Sequence, residues 1–396
     1  AASAGGSAVT AEELWLRGAA AFCQGRQQGR LADGLADFEA SVEAEPRAAA
    51  RQLFVATLRA LLGRDGEAKA GYAAAIAADA SSPHAYLELV MFLEARGLRG
   101  EAREVATQAI AAGARWADPW QRPPIFVPGL RSRPWWRRED FPWAARLEEA
   151  FPEVRAEMLQ LGGGSASMPE QWPAVGEARA AQDGDIVASG GEWREYVIFG
   201  TEAAPDVHSR CPCTCAVLEE LLPGAVAMAR IGAGEIIFSA LSPGTHLLPH
   251  CASSNTRLTC HLGLSCPPGP RLRVGGEWGT WQEGSCLFFD DSFEHEVVFE
   301  GAGGPPRVVL LVRFWHPDLP PERWAATLHD GVAQFEAMQH RRMSPPLGAS
   351  AREVGADSCR DAASGERGAA LHDTGPRPVE SAADLAAAVS ADNDLF

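Results

Sequence analysis

Residues 239–264, SALSPGTHLLPHCASSNTRLTCHLGL, lie in a region beginning at Trp193 where short runs rich in Val, Ile, Leu and Phe alternate with Gly and Pro turns. That texture predicts antiparallel strands in a sandwich or barrel. The expected strands are 193–199, 235–241, 259–264, 271–274, 285–289, 295–299 and 307–314. His250 and His295 lie 45 positions apart, each in a strand-like segment, and Arg307 follows twelve residues later. Two imidazoles at the mouth of a small β-barrel suit a single redox metal, and a cation deeper in suits a dicarboxylic co-substrate. The residues therefore point to oxygen chemistry.

Upstream of the strands the chain repeats. Gly29, Gly63 and Gly97 are each 34 residues apart, which is the period of a helix-turn-helix solenoid unit. Three further phases keep step: Gly34, Ala68 and Ala102; Phe38, Tyr72 and Ala106; Ser41, Ala75 and Ala109. Small residues at two phases let helices approach closely, and the ring at the third fills the space between them. Pro46 and Pro83 fall near helix ends. The pattern resembles a tetratricopeptide array, a type of scaffold that binds extended peptides or partner helices and carries no chemistry itself.

The expected fold class is α+β in two domains: an N-terminal all-α tetratricopeptide-like solenoid and a C-terminal double-stranded β-helix of the jelly-roll or cupin kind. Residues 10–115 are assigned to the repeats and 116–165 to a Pro- and Trp-rich connector followed by a helix over 144–161. The β domain takes 166–345, and 346–396, poor in aromatics, is expected to be a disordered tail. Trp135, Trp136 and Trp143 are expected to bury a seam between domains.

Composition excludes several function classes. A formal charge of −17 opposes binding to a phosphate backbone. Lys69 is the sole lysine among 35 cationic residues, which together with the abundant alanine reads as coding bias. There is no run of 18 apolar residues, and the N-terminal AASAGGSAVTAEELW has neither the basic flank nor the apolar core of a secretory signal. With no initiating Met, a targeting segment upstream stays open. The nine cysteines are too scattered for a disulfide scaffold, and only Cys211, Cys213 and Cys215 cluster. Zinc there would need further ligands, and none follows at suitable spacing.

Non-haem iron oxygenases usually add one carboxylate to two histidines, two residues after the first, because i and i+2 project to the same side of a strand. Here the sequence reads His250, Cys251, Ala252, and the carboxylate is missing. Either two protein ligands suffice, or Asp291 or Glu294 fills in, or the site is dead. The two-ligand reading is favoured, because Asp290 and Asp291 lie where acids cap turns and Glu294 would point away from the side chosen by His295. His246 and His316 have no supporting context, and Arg313 is expected at the surface or between domains.

The segment 239–264, followed by FFDDSFEHEVVF and RVVLLVRFWHPDL, resembles the catalytic domain of the aspartyl/asparaginyl β-hydroxylase family. The likeness extends upstream through PWQRPPIFVPGLRSRPWW and WREYVIFG. The family lacks the carboxylate ligand and has a small residue there, which Ala252 fits. Its animal members carry a tetratricopeptide array before the oxygenase domain.

The resemblance implies Fe(II), 2-oxoglutarate and O2, with His250 and His295 as iron ligands. Ser239 and Arg307 would hold the distal carboxylate of 2-oxoglutarate, His261 would contact the co-substrate near the metal, and Trp193 would line the pocket. Arg257 would receive the acidic side chain of the target. A second arginine is expected two residues later, where this chain has Thr259. The implied activity is β-hydroxylation of Asp or Asn in a polypeptide, in animal relatives an EGF-like module, in the endoplasmic reticulum lumen or at its membrane. Two rivals stay open: the same chemistry on a lipid acyl chain or other small substrate, and an inactive repeat-containing adaptor. Animal relatives have a disulfide ending at the position of Cys215, but its partner position is His208 here.

Overall fold

The computed structural model describes residues 9–163, 169–175 and 188–347. The described residues divide into two compact units, one built from residues 9–119 together with 334–347, the other from those between Trp120 and Ala333.

In the first unit six helices form three successive hairpins: α1 (Ala11–Arg26) with α2 (Leu35–Ala44), α3 (Ala49–Leu61) with α4 (Asp65–Ala78), and α5 (Pro83–Glu94) with α6 (Arg99–Ala111). Thr10 opens α1 with a capping box closed by Glu13, and Ser82 caps α5 with Pro83 in its first turn. The repeated glycines have a shared backbone role. Gly29, Gly63 and Gly97 have φ of +72°, +74° and +72°, left-handed conformations between the two helices of each hairpin, which glycine adopts without steric penalty. Ser41, Ala75 and Ala109 are fully buried, as are Phe38 and Ala106. Trp15, Phe22, Phe38 and Phe54 pack as one aromatic cluster.

In the second unit two antiparallel sheets enclose a core. The first holds, in spatial order, β1 (Trp135–Trp136), β9 (Cys286–Phe289), β6 (Arg257–Ser265), β11 (Arg307–Trp315), β4 (Ile236–Leu241) and β3 (Trp193–Phe199). The second holds β2 (Ala188–Ser189), β5 (Thr245–His250), β10 (His295–Phe299), β7 (Pro270–Val274) and β8 (Glu277–Gly279). Alternation along each strand splits the first sheet's side chains. Phe238, Leu262, Leu310 and Val312 face helices α7 (Ala144–Glu149), α8 (Phe151–Leu161), α9 (Val207–Arg210), α10 (Pro212–Leu221) and α11 (Pro223–Arg230). Leu241, Phe289 and Val309 face inward, packing with Leu247, Leu272, Val297 and Phe299 of the second sheet. The functional side chains share that inner face.

Every strand expected from the sequence is present within two residues at either end, and β1, β2, β5 and β8 are additions. The helix expected over 144–161 is two helices, with Pro152 in the first turn of the second. The helices α9 to α11 and a further helix, α12 (Trp324–Met343), were not expected. Three tryptophans need correction. Trp136 and Trp143 belong to the helix-facing core of the second unit and Trp135 packs against Phe289, because β1 pairs with β9 and the Trp143 ring packs on Phe288 and Phe314 of the same sheet. All of the expected tail beyond Leu347 lies outside the described residues.

Candidate active site

β10 runs between β5 and β7, and its register places His295 directly opposite His250. The two rings lie 4.2 Å apart between centroids. His250 Nδ1 is 2.7 Å from the Leu248 carbonyl and His295 Nδ1 is 2.9 Å from the Phe293 carbonyl. A carbonyl only accepts, so each Nδ1 carries the proton and each Nε2 presents a lone pair, the tautomer a metal requires. Burial pulls the proton affinity of His295 below that of an ordinary imidazole and keeps it a neutral donor, with the Asp291 charge opposing.

Neither candidate third ligand completes a carboxylate set. Glu294 is held by Arg122 at 2.6 Å and by Arg273 at 3.0 Å. Asp291 accepts from Thr259 Oγ1 at 3.0 Å and lies 3.3 Å from Arg313 Nε. Among the described residues no three His, Cys, Asp or Glu side chains converge as a metal cluster. The Asp291 carbonyl receives the Ala252 N–H at 2.8 Å, which fixes the small residue beside His250. Asp290 caps the turn through the Ser292 N–H at 2.9 Å and also accepts from Gln121 at 3.0 Å.

Deeper on the inner face, β6 carries His261, and the Trp281 indole donates to its Nδ1 at 3.0 Å. With Nδ1 accepting, the neutral ring carries its proton on Nε2, a buried donor with no partner among the described residues. Burial, then the charges of Arg307 and His295, hold His261 well below the usual imidazole range, so that donor persists at neutral pH.

Arg307 is 2% exposed, and its Cζ lies 4.8 Å above the Trp281 ring. Burial brings it down to about 10, with Cys266 and Glu195 favouring the charged form. Its Nε has no hydrogen-bond partner among the described residues. A buried guanidinium left in that condition is costly unless an anion arrives, and a carboxylate matches its fork. Across the sheet, Arg307 and Trp193 are both opposite Leu241. Trp193 Nε1 donates to Ser239 Oγ at 3.0 Å, so the serine hydroxyl keeps its own proton to donate. Ser239, Arg307, His261 and Trp193 thus line one stretch of the inner face. Two imidazole lone pairs at its mouth and neutral and cationic donors behind them fit a divalent metal with a dicarboxylate chelator.

Arg257 begins β6, and its guanidinium donates to the Ala233 carbonyl. Arg313 corrects an expectation: alternation puts it on the inner side of β11, in phase with Val309 and Leu311, paired with Asp291 and Glu235. His316 is structural, its Nε2 on the Arg131 carbonyl at 3.0 Å. His246 pairs with Glu296 at 2.8 Å. Cys211 and Cys215 are buried free thiols, pushed by burial to about 12 and about 11, and Cys213 is exposed. Sequence reasoning missed Trp281, which touches both His261 and Arg307. Nothing in its local context, TWQEG, distinguishes it from a packing residue.

The family model described as Aspartyl/Asparaginyl beta-hydroxylase matches residues 148–317. The human protein named aspartyl/asparaginyl beta-hydroxylase is 32% identical over 215 residues, covering 52% of this chain and 26% of that protein. Human aspartate beta-hydroxylase domain-containing protein 2 is 34% identical over 205 residues, covering 50% of this chain and 52% of that protein. The chain thus spans about a quarter to a half of the length of these relatives. Among solved structures, a Pseudomonas putida prolyl-4-hydroxylase aligns over 42% of this chain and 87% of its own, at 15% identity and a TM-score of 0.27, too distant to bear on the fold.

Proposed function

We propose, from the likeness of residues 148–317 to the aspartyl/asparaginyl beta-hydroxylase family, that this chain is an Fe(II)- and 2-oxoglutarate-dependent dioxygenase hydroxylating the β-carbon of Asp or Asn in a polypeptide. The observation that carries this reading is the pair of imidazoles on neighbouring strands, both turned to the same tautomer by backbone carbonyls. His250 and His295 would hold the iron. Bound iron with 2-oxoglutarate supplies the oxidising chemistry, one atom of O2 passing to the product hydroxyl and the other to succinate as carbon dioxide is lost.

The chain's own residues orient and exclude. Arg307 would take the distal carboxylate of 2-oxoglutarate, with Ser239 donating beside it. His261 would donate its Nε2 proton to the same co-substrate. Trp281 fixes the His261 tautomer and covers the Arg307 fork, and Trp193 aims Ser239. Arg257 would receive the target's side chain. Positioning of this kind, in a site closed to bulk water, is what a protein adds to cofactor chemistry.

The finer architecture belongs to the same proposal. The paired sheets support a double-stranded β-helix, and the 34-residue hairpins, turned at left-handed glycines, support a tetratricopeptide-like array presenting the polypeptide. The domain limits above, an EGF-like client and residence at the endoplasmic reticulum follow by analogy with the family. Mass spectrometry of an Asp- and Asn-containing peptide panel incubated with Fe(II), ascorbate, O2 and 2-oxoglutarate tests the reading. A gain of one oxygen at Asp or Asn, lost in His295→Ala, supports it. Conversion of 2-oxoglutarate to succinate with no oxygen added to any such peptide overturns it.

A further inference from the structure

We propose that Arg313 is a specificity-determining residue for the reacting side chain, supplying from β11 the guanidinium that Thr259, directly opposite on β6, does not provide. The inference rests on the hydroxylase reading and goes beyond it by naming what selects a carboxylate over its amide.

Thr259 and Arg313 are cross-strand partners, and Thr259 is also opposite Phe289, whose ring lies 6.0 Å from that of His295. Arg313 therefore lies on the inner face with one strand, β6, between it and Phe289 at the mouth of the site. Its own side chain is 18% exposed, which leaves it reachable by a substrate but not loose. Two acids brace it: Glu235 lies 3.1 Å from Nη1 and Asp291 3.3 Å from Nε. Thr259 completes the brace by donating to the same Asp291 oxygen at 3.0 Å. The threonine thus helps to orient the cation across from it. A charged fork whose rotamer is locked by neighbours is the form in which a guanidinium discriminates best, because little freedom is lost when the ligand arrives.

Arg257 stands two residues before Thr259 on the same strand, so the two guanidinium groups come from adjacent strands. A carboxylate offers such a pair two acceptor oxygens and a charge. An amide offers one acceptor, and its NH2 meets N–H donors, so the amide is accepted less well than the carboxylate.

The test compares an Asp peptide with its Asn counterpart in wild type, Arg313→Gln and the double variant Arg313→Gln/Thr259→Arg. The peptide is the best substrate of the panel, or an Ala-rich peptide with a single Asp if the panel yields none. The expected result is a fall of about tenfold or more in kcat/KM for the Asp peptide in Arg313→Gln, a change of less than about threefold for the Asn peptide, and recovery of the preference in the double variant. Loss of structure alone would lower both peptides together and would not be rescued from the opposite strand; either result overturns the proposal. Fluorescence anisotropy of labelled peptides with O2 excluded reads the same preference without turnover. Wild-type turnover with no Asp preference in binding sinks the role of Arg313 and spares the hydroxylase reading, whereas preferential binding without turnover sinks the hydroxylase reading alone.

Discussion

Arg307 and His261 show how strongly single residues are committed to a ligand. Among the described residues, the buried Arg307 has no partner for its Nε and the His261 Nε2 proton faces no acceptor. Charged hydrogen bonds are worth about 1.5–3 kcal/mol each, so Arg307→Gln should weaken 2-oxoglutarate binding by roughly 10- to 100-fold. Calorimetry on Mn(II)-loaded protein checks this, and unchanged affinity would remove Arg307 from the site. Asp290 carries a pH signature. Burial pushes its carboxyl up to about 8, with the donors Ser292 and Gln121 opposing. A raised folded-state value means that the native state binds the proton more tightly than the unfolded chain, so stability declines as pH rises from about 4 and levels off above about 8. Asp290→Asn should abolish that slope; its lost contacts add only a constant offset, and denaturant melts across pH 4–9 separate the two. Sequence marked His250, His295 and Arg307 because chemistry restricts their types. Trp281 was invisible, since an indole that fixes a tautomer looks in sequence like one that packs.

Elements were legible where they repeat or alternate. The 34-residue period located three hairpins because each turn needs a left-handed residue at the same place. Gly63→Ala should cost only the backbone penalty, about 1 kcal/mol, since an added Cβ meets nothing within 4 Å. Gly34→Ala should cost about 3 kcal/mol, because φ is +82° and its Cβ would collide with the Gly18 carbonyl, which cannot yield without moving α1. Thermal melts of the two variants test that ranking. β5 was missing from the expected strands, although His250 was read as lying in a strand-like segment, because THLLPH holds Pro249, which argues against a ladder strand yet sits next to the strand's end. Without β5, His250 had no visible reason to lie opposite His295.

At the level of the whole chain, the last described residues return to the helical unit. The Trp15 indole donates to the Pro346 carbonyl at 2.8 Å, Arg26 to the Met343 carbonyl at 2.7 Å, and Arg342 pairs with the buried Glu88 at 2.8 Å. Leu347 packs on the Trp15 cluster. Arg342→Ala should therefore destabilise this unit by about 1–3 kcal/mol, since Glu88 is left buried without its main partner. Hydrogen exchange of α1 and α5 would report the loss, and unchanged protection there would contradict it.

Sequence by itself determined the helical repeat, the alternating strands and the pair of metal-type histidines without a nearby carboxylate. Each is written in residue type and local spacing, and is read without knowing what lies across the fold. Tertiary structure alone decided that Arg307 is buried with an unpartnered Nε, that Trp281 links it to His261, and that Arg313 turns inward opposite Thr259. Those facts depend on strand register between segments tens of residues apart, where a shift of one position would send every side chain to the other face.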